Sequence, residues 1–282
     1  MSKVAIGLIQ NACKKSIKEN VQKIEGLIHK AHKMGSQIIC LQELSYLPYM
    51  ATAMNIENFQ LAATWHSYPI NHFMRLAKKL EACLIVPFFE QERYAYYNSA
   101  VCIGPNGTIL GKYRKNHIPL NSGFQEKYYF RPGNLGYPVI KTPWANIGLS
   151  ICWDHWFPEV QRIYGIKGAE IVFTPTAIGY CDRPEAHLDR SYKGTWMTML
   201  RGQAITGGFY LAMVNRVGIE GHLNFYGSSF VAAPDGQILS QLDEKKDSCL
   251  VLELDLALVR KWHVHQQFVR DRRTDTFYEL VE

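Results

Sequence analysis

The sequence predicts an α/β protein, and within that class a four-layer αββα sandwich with internal pseudo-two-fold symmetry. Three observations lead there. Short apolar, strand-like runs alternate with helical patterns along the chain. Two hairpin signals, "AVCIGPNGTILG" (100–111) and "SFVAAPDGQILS" (229–240), align without a gap. The run "AIGLIQ" (5–10) resembles "NIGLSI" (146–151), and in both places a helix, a glycine (Gly35, Gly168) and a further strand follow. Two such halves in one short chain bury most apolar surface by stacking sheet on sheet, with their helices outside.

Taken in order, "KVAIGLIQ" (3–10) reads as a buried strand. "SIKENVQKIEGLIHKAHKMG" (16–35) follows as an amphipathic helix, with Ser16 as cap, Glu19 at the capping-box position and Gly35 as stop. "SQIICLQE" (36–43) completes a βαβ unit. The pattern recurs where "FMRLAKKLEA" leads into "CLIVPFFE" and "PEVQRIYGIKGA" leads into "EIVFTPT". Pro-Asn-Gly and Pro-Asp-Gly predict a two-residue turn in each hairpin. With few candidates for a linker and no low-complexity segment, the expectation is a single domain over residues 1–282.

Composition narrows the classes. The 282 residues are 47% hydrophobic and 20% charged, an ordinary globular balance with room for one large core or two smaller ones. No stretch approaches the ~18–20 apolar residues of a membrane span, so no membrane partner is expected. The apolar start is short, with Lys14 and Lys15 directly behind it, which is not a signal peptide and suggests a cytoplasmic protein. Seven cysteines, an odd number lying mostly in apolar runs, suit reduced core thiols better than a disulfide framework. The formal charge is +6, yet acids interrupt even the densest basic run, "RDRRTD", so no nucleic-acid partner is expected.

Departures from the repeat mark candidate chemistry. Where the first half reads "CLQELSYLP" the second reads "FTPTAIG", so Glu43 stands opposite Thr176 at a strand exit. A carboxylate there either lines a site or begins a solvated loop, and position alone leaves both open. Cys152, in "LSICWDHWFPE", lies between a strand and a helix begun by Pro158 and Glu159. Outward-pointing backbone N–H groups in such a connection can activate a thiol, but free cysteine is also among the most buried residue types. His155 is too close in sequence for the usual Cys–His pair and reads as wall or packing. No C-x-x-C occurs and "WHVH" (262–265) has no cysteine beside it, so neither zinc nor any other cofactor is expected. "GKYRKNHIP" (111–119) is strongly basic; either it is a solvated edge or one of its lysines turns inward.

Together, "LQELSYLPY", "GKYRKNHIP" and "ICWDHWFPE" resemble the Glu, Lys and Cys motifs of the nitrilase, or carbon-nitrogen hydrolase, superfamily, in the same order and with the same wide spacing. The resemblance extends to "GFQEKYYFRPG", "PTAIG", "NRVG", "FYGSSFVAAPDG" and "FVRDRRTDTFY". Within the superfamily it is strongest to the N-carbamoyl amine hydrolases, the N-carbamoylputrescine amidohydrolases first and the β-ureidopropionases behind them. It implies Cys152 as nucleophile, Glu43 as general base, Lys115 as the cation stabilising the tetrahedral intermediate, and Glu126 as a substrate-positioning carboxylate. The Trp153 N–H would be a second oxyanion donor. It also implies a small-molecule N-carbamoyl amine or amide substrate, and a homo-oligomer in which residues 263–282 form a C-terminal arm.

Trp153, Trp156 and Tyr46 are placed as pocket lining beside that set, although large aromatics also serve as packing. The loop "YCDRPEAHLDRSYKGTW" (180–196) is expected to select the substrate, and it carries charges of both signs. A distal ammonium would need a carboxylate or aromatic wall, a distal carboxylate an Arg or Lys.

Overall fold

The computed structural model describes residues 2–182 and 192–281. The first-half strands are β1 (Lys3–Gln10), β2 (Ile38–Leu41), β3 (Cys83–Glu92), β4 (Ala95–Ile103) and β5 (Ile109–Arg114). Then come β6 (Ile140–Lys141), β7 (Asn146–Leu149), β8 (Ile171–Pro175), β9 (Gly179–Cys181) and β10 (Tyr210–Val214). The chain continues through β11 (Val217–Glu220), β12 (Leu223–Tyr226), β13 (Phe230–Ala232), β14 (Ile238–Gln241) and β15 (Ser248–Asp255). The helices are α1 (Ile17–Lys33), α2 (Tyr68–Leu80), the single turn α3 (Glu126–Tyr129), α4 (Pro158–Ile166), α5 (Tyr192–Gly207) and α6 (Ala257–Gln266).

Two six-stranded sheets follow one plan. Their orders are β15-β1-β2-β3-β4-β5 and β6-β7-β8-β10-β13-β14, and a small third sheet has the order β11-β12-β9. In each large sheet the three central strands are parallel and the flanking pairs antiparallel. The sheets pack on each other, with α1 and α2 against the first and α4 and α5 on the side of the second. Three apolar layers result. One lies under α1 and α2, one between the sheets (Ile6, Leu8, Ile85, Leu149, Phe173, Ala212), and one around Trp196 of α5. This is the αββα sandwich that the repeat predicts.

The duplication reaches fine detail, with one difference from expectation. Each hairpin closes with a three-residue loop instead of a two-residue turn. Gly104 N–H donates to Thr108 O and Gly107 N–H to Gly104 O; Ala233 N–H and Gly236 N–H repeat the pattern with Gln237 O and Ala233 O. Gly107 and Gly236 take the left-handed conformation, φ 79° and 80°, that this loop requires of its last residue. The proline starts the turn, so the glycine falls one place later than in an Asn-Gly hairpin.

Ser16 caps α1 as expected, its Oγ accepting from Glu19 N–H at 3.3 Å. The Glu19 carboxylate pairs instead with Lys14 Nζ at 2.7 Å, so only half of the capping box forms. Residues 263–282 begin within α6, which runs to Gln266. Beyond it the chain makes short 3-10 turns with Phe268, Phe277, Tyr278 and Leu280 exposed. Among the described residues no helix is long and apolar enough to cross a membrane.

Candidate active site

The parallel strands β1, β2, β7 and β8 end on the same side of the stacked sheets, and three of the motifs gather at their exits. Glu43 leaves β2 and precedes Leu44, a left-handed residue (φ 48°). Its main chain is fixed from across the fold: Arg216 Nη2 donates to Glu43 O and Leu44 O at 3.1 and 3.0 Å. Lys115 directly follows β5, and its N–H continues the ladder by donating to Asn98 O at 2.8 Å. Gly133 packs against this strand end so closely that a Cβ there would stand 2.2 Å from Arg114 O. Cys152 follows β7 and opens a 3-10 turn, Cys152–Trp156, with a left-handed φ of 45°. Pro158 then starts α4, as the sequence suggests.

The side chains form one buried chain of charges. Lys115 Nζ donates to Glu43 Oε1 at 2.9 Å and to Glu126 Oε2 at 2.6 Å, all three residues being fully buried. Asn98 Nδ2 donates to Glu43 Oε1 at 2.7 Å, and the Tyr49 hydroxyl to Glu126 Oε1 at 2.6 Å. Glu43 Oε2 is buried and accepts nothing among the described residues. Cys152 Sγ lies 4.0 Å from Ala177 O, so the exit of β8, where Thr176 stands opposite Glu43, backs the thiol.

Electrostatics fix the resting protonation. Burial, and then the Glu43 carboxylate, push the Cys152 thiol well above its usual pKa against the opposing pull of Lys115. It therefore rests as a thiol. Burial alone would lower Lys115, but Glu126 and Glu43 outweigh it and hold the ammonium charged. Burial raises Glu126 to about 7 despite Lys115, with Glu43 adding to the rise. Two carboxyl groups and one ammonium thus share a buried site. Such a set holds both a group able to take a proton from the thiol and a cation facing developing oxyanion charge.

The remaining expected residues divide. Trp153 and Trp156 flank the turn, their rings 6.1 Å apart, and Trp156 leans on Tyr192 at 5.2 Å. Trp153 lines a cavity of about 550 Å³ with Asn116, His117, Phe130 and Phe157. Tyr46 is a correction. It is fully buried in the layer beneath α2, 6.4 Å from the Phe73 ring, and Tyr49, three residues on, reaches the charge cluster instead. His155 accepts from Trp196 Nε1 at 2.9 Å, and burial, helped by Lys115, lowers it to about 3; it is a neutral packing residue. Of the loop 180–196, residues 183–191 lie outside the described residues, so the placement of Arg183, Glu185, Asp189 and Arg190 does too. Among the described residues no group of three or more His, Cys, Asp or Glu is placed to hold a metal.

Sequence reasoning missed Asn98 and Arg216 as site builders, and named Tyr46 as pocket lining without naming Tyr49. Arg216 lies in "NRVG", a segment that carried the resemblance, but nothing in its neighbours tells that it reaches the main chain beside Glu43.

The site is thus a buried thiol beside a carboxylate–ammonium–carboxylate chain at the strand exits of an αββα sandwich, an arrangement that fits a hydrolase. The chain belongs to the carbon-nitrogen hydrolase family, whose model matches residues 4–264. It is 40% identical to an N-carbamoylputrescine amidase of Oryza sativa subsp. japonica, over 99% of this chain and 95% of that protein. It is 36% identical to a citrullinase of Francisella tularensis, over 100% of this chain and 99% of that one. A crystal structure of a carbon-nitrogen hydrolase from Helicobacter pylori G27 superposes with a TM-score of 0.94 at 35% identity, covering 99% of both chains. This protein is accordingly a hydrolase acting on non-peptide C–N bonds.

Proposed function

We propose that the protein hydrolyses an N-carbamoyl amine, N-carbamoylputrescine, to putrescine, carbon dioxide and ammonia through a thioester on Cys152. The observation that carries the chemistry is Glu43 Oε2, which accepts nothing among the described residues, in a buried cluster beside the thiol. Glu43 removes the thiol proton as sulfur attacks the ureido carbon. Lys115 Nζ and the Trp153 N–H take the charge that develops on the oxygen, an interaction of roughly 3 kcal/mol for donors of this kind. Collapse breaks the C–N bond to the amine, which leaves with the proton held by Glu43, and a carbamoyl thioester remains. Glu43 then deprotonates water, whose attack opens the thioester; the Cys152 thiolate takes back the proton held by Glu43, and the released carbamic acid falls to carbon dioxide and ammonia. Glu126, held by Tyr49, keeps Lys115 aimed at this point.

The substrate assignment rests on the amidases that are 37–40% identical over 99% of this chain. The site's surroundings support it. Trp156 and Tyr192 offer aromatic faces suited to an alkylammonium. Lys193, a cation that an anionic substrate would call on, pairs with Glu244. The test is an ammonia-release panel of N-carbamoylputrescine, N-carbamoyl-β-alanine, citrulline and simple ω-amides, with and without Cys152→Ala. Preference for N-carbamoylputrescine, lost in the variant, is the expected result. Preference for citrulline or N-carbamoyl-β-alanine rejects the substrate, a carboxylic-acid product rejects ureido chemistry, and ammonia release by Cys152→Ala rejects the nucleophile.

We further infer a single domain that needs no cofactor and works as a homo-oligomer in the reducing cytoplasm. All seven cysteines are free, as suits that compartment. The exposed Phe268, Phe277, Tyr278 and Leu280 give the C-terminal arm an apolar side for a second subunit. A one-subunit mass by light scattering would reject the oligomer, and loss of turnover in chelator would reject the absence of a cofactor.

A further inference from the structure

Asp154 stands two residues beyond Cys152, fully buried, and its carboxylate is spent on the segment that carries Lys115. Oδ2 accepts from Ile151 N–H at 3.1 Å and from the Tyr113 hydroxyl at 2.7 Å. Oδ1 accepts from Asn116 N–H at 3.1 Å and His117 N–H at 2.9 Å, with His117 Nδ1 at 2.8 Å. These donors lie immediately before Cys152 and on both sides of Lys115. His117 is itself clamped, its ring stacked 3.7 Å from that of Phe157, the residue that ends the Cys152 turn.

Two features make the arrangement more than local packing. First, Cys152 holds a left-handed φ of 45°, a conformation that persists in a non-glycine residue only when its surroundings impose it. The Ile151 N–H bond closes that turn onto Asp154. Second, the nucleophile and the ammonium come from different sheets, since β7 and β5 belong to separate halves of the sandwich. Asp154 joins the two strand ends through hydrogen bonds to a single carboxylate. A buried carboxylate is costly without such partners, and with five donor contacts it becomes a rigid, charge-assisted joint.

We propose that Asp154 is a positioning residue for the reaction: it fixes the Lys115 segment relative to the Cys152 turn, so that ammonium and sulfur converge on one carbonyl group. It acts through the main chain of Ile151, Asn116 and His117 together with the Tyr113 hydroxyl and the His117 ring, and touches no reacting atom. A misplacement of about 1 Å between such groups can lower turnover about a hundredfold. Asn at this position keeps the shape but turns an NH2 toward donors that need an acceptor, so one side of the joint must open.

The experiment compares wild type, Asp154→Asn, Tyr113→Phe and Cys152→Ala with the preferred ureido substrate. It measures kcat and KM separately, the rate of Cys152 alkylation by iodoacetamide, and thermal unfolding. Alkylation is a direct displacement and needs no oxyanion donor, so it reports the thiol without the joint. For Asp154→Asn the expected result is a kcat loss of about a hundredfold, with KM and alkylation rate within about threefold of wild type. A kcat within about threefold overturns the proposal, and so does a parallel loss of turnover and alkylation, which marks a merely structural residue. If Asp154→Asn does not fold, Tyr113→Phe decides. It keeps the carboxylate and removes one donor, and a kcat loss of about fivefold or more at constant KM supports the role, a smaller loss overturns it. The inference rests on Cys152 and Lys115 acting as proposed. Turnover surviving in Cys152→Ala rejects that site, whereas turnover lost there and kept in Asp154→Asn rejects only the positioning role.

Discussion

Arg216 holds Glu43 by its main chain. Its Nη2 donates to the carbonyls of Glu43 and Leu44, while Nη1 donates to Leu47 O at 2.9 Å and Glu220 Oε1 at 2.6 Å. Glu220 in turn accepts from Tyr49 N–H at 2.5 Å, so a single ion pair between the buried Arg216 and the partly buried Glu220 supports both the candidate base and the tyrosine that holds Glu126.

Replacing Arg216 should therefore damage stability and activity together. Arg216→Met removes the fully buried cation of this pair and leaves four main-chain and carboxylate acceptors without their donor. The expected loss is about 3–5 kcal/mol in urea unfolding, with kcat falling in the protein that still folds. Arg216→Lys should lie between, since one ammonium cannot span the same acceptors. A loss below about 1 kcal/mol for the Met variant would show that the loop holds its shape unaided.

Glu43→Gln separates base catalysis from thiol accessibility. The amide oxygen can still accept from Lys115 and Asn98, but Oε2 is lost as a proton acceptor. Turnover should fall by about 10²–10⁴-fold, the usual contribution of a positioned general base. Alkylation of Cys152 by iodoacetamide at alkaline pH should persist. Equal loss of both would mean that the substitution had disrupted the pocket instead of the proton transfer.

Glu126 gives a pH signature with a definite sign. Its carboxyl is raised from 4.5 to about 7 by burial and Glu43, so folding favours the protonated form. That contribution is fully present below pH 4.5 and is lost as pH rises toward 7, where a second buried charge forms beside Glu43. Glu126→Gln, which mimics the neutral form, should gain stability relative to wild type across that window and level off above it. Urea midpoints at several pH values measure the difference. A constant difference from pH 4 to 8 would show that Glu126 titrates alike in the folded and unfolded chain, and would reject the shift.

Much of the architecture was legible because it rests on local rules. The 3–10 strand, the Ser16 cap and the Pro158 start of α4 follow from periodicity, side-chain capping and the fixed φ of proline. The hairpin loops were legible in kind and missed by one residue, because the proline ahead of Asn-Gly and Asp-Gly moves the left-handed position along the turn. Tyr46 and Tyr49 are alike in type and three residues apart. Only the path of the chain after the left-handed turn at Leu44 sends one under α2 and the other to Glu126.

The sequence by itself determined the duplicated sandwich and the types of residue at the strand exits, since apolar period and turn chemistry are written into neighbouring residues. Only the tertiary structure decided which polar groups meet. Glu43, Lys115, Glu126 and Cys152 come from four separated segments, and Asp154 and Arg216 hold them in place through main-chain groups that carry no sequence signature. Hydrogen bonds and charge interactions act over a few ångströms of space, whatever the separation along the chain.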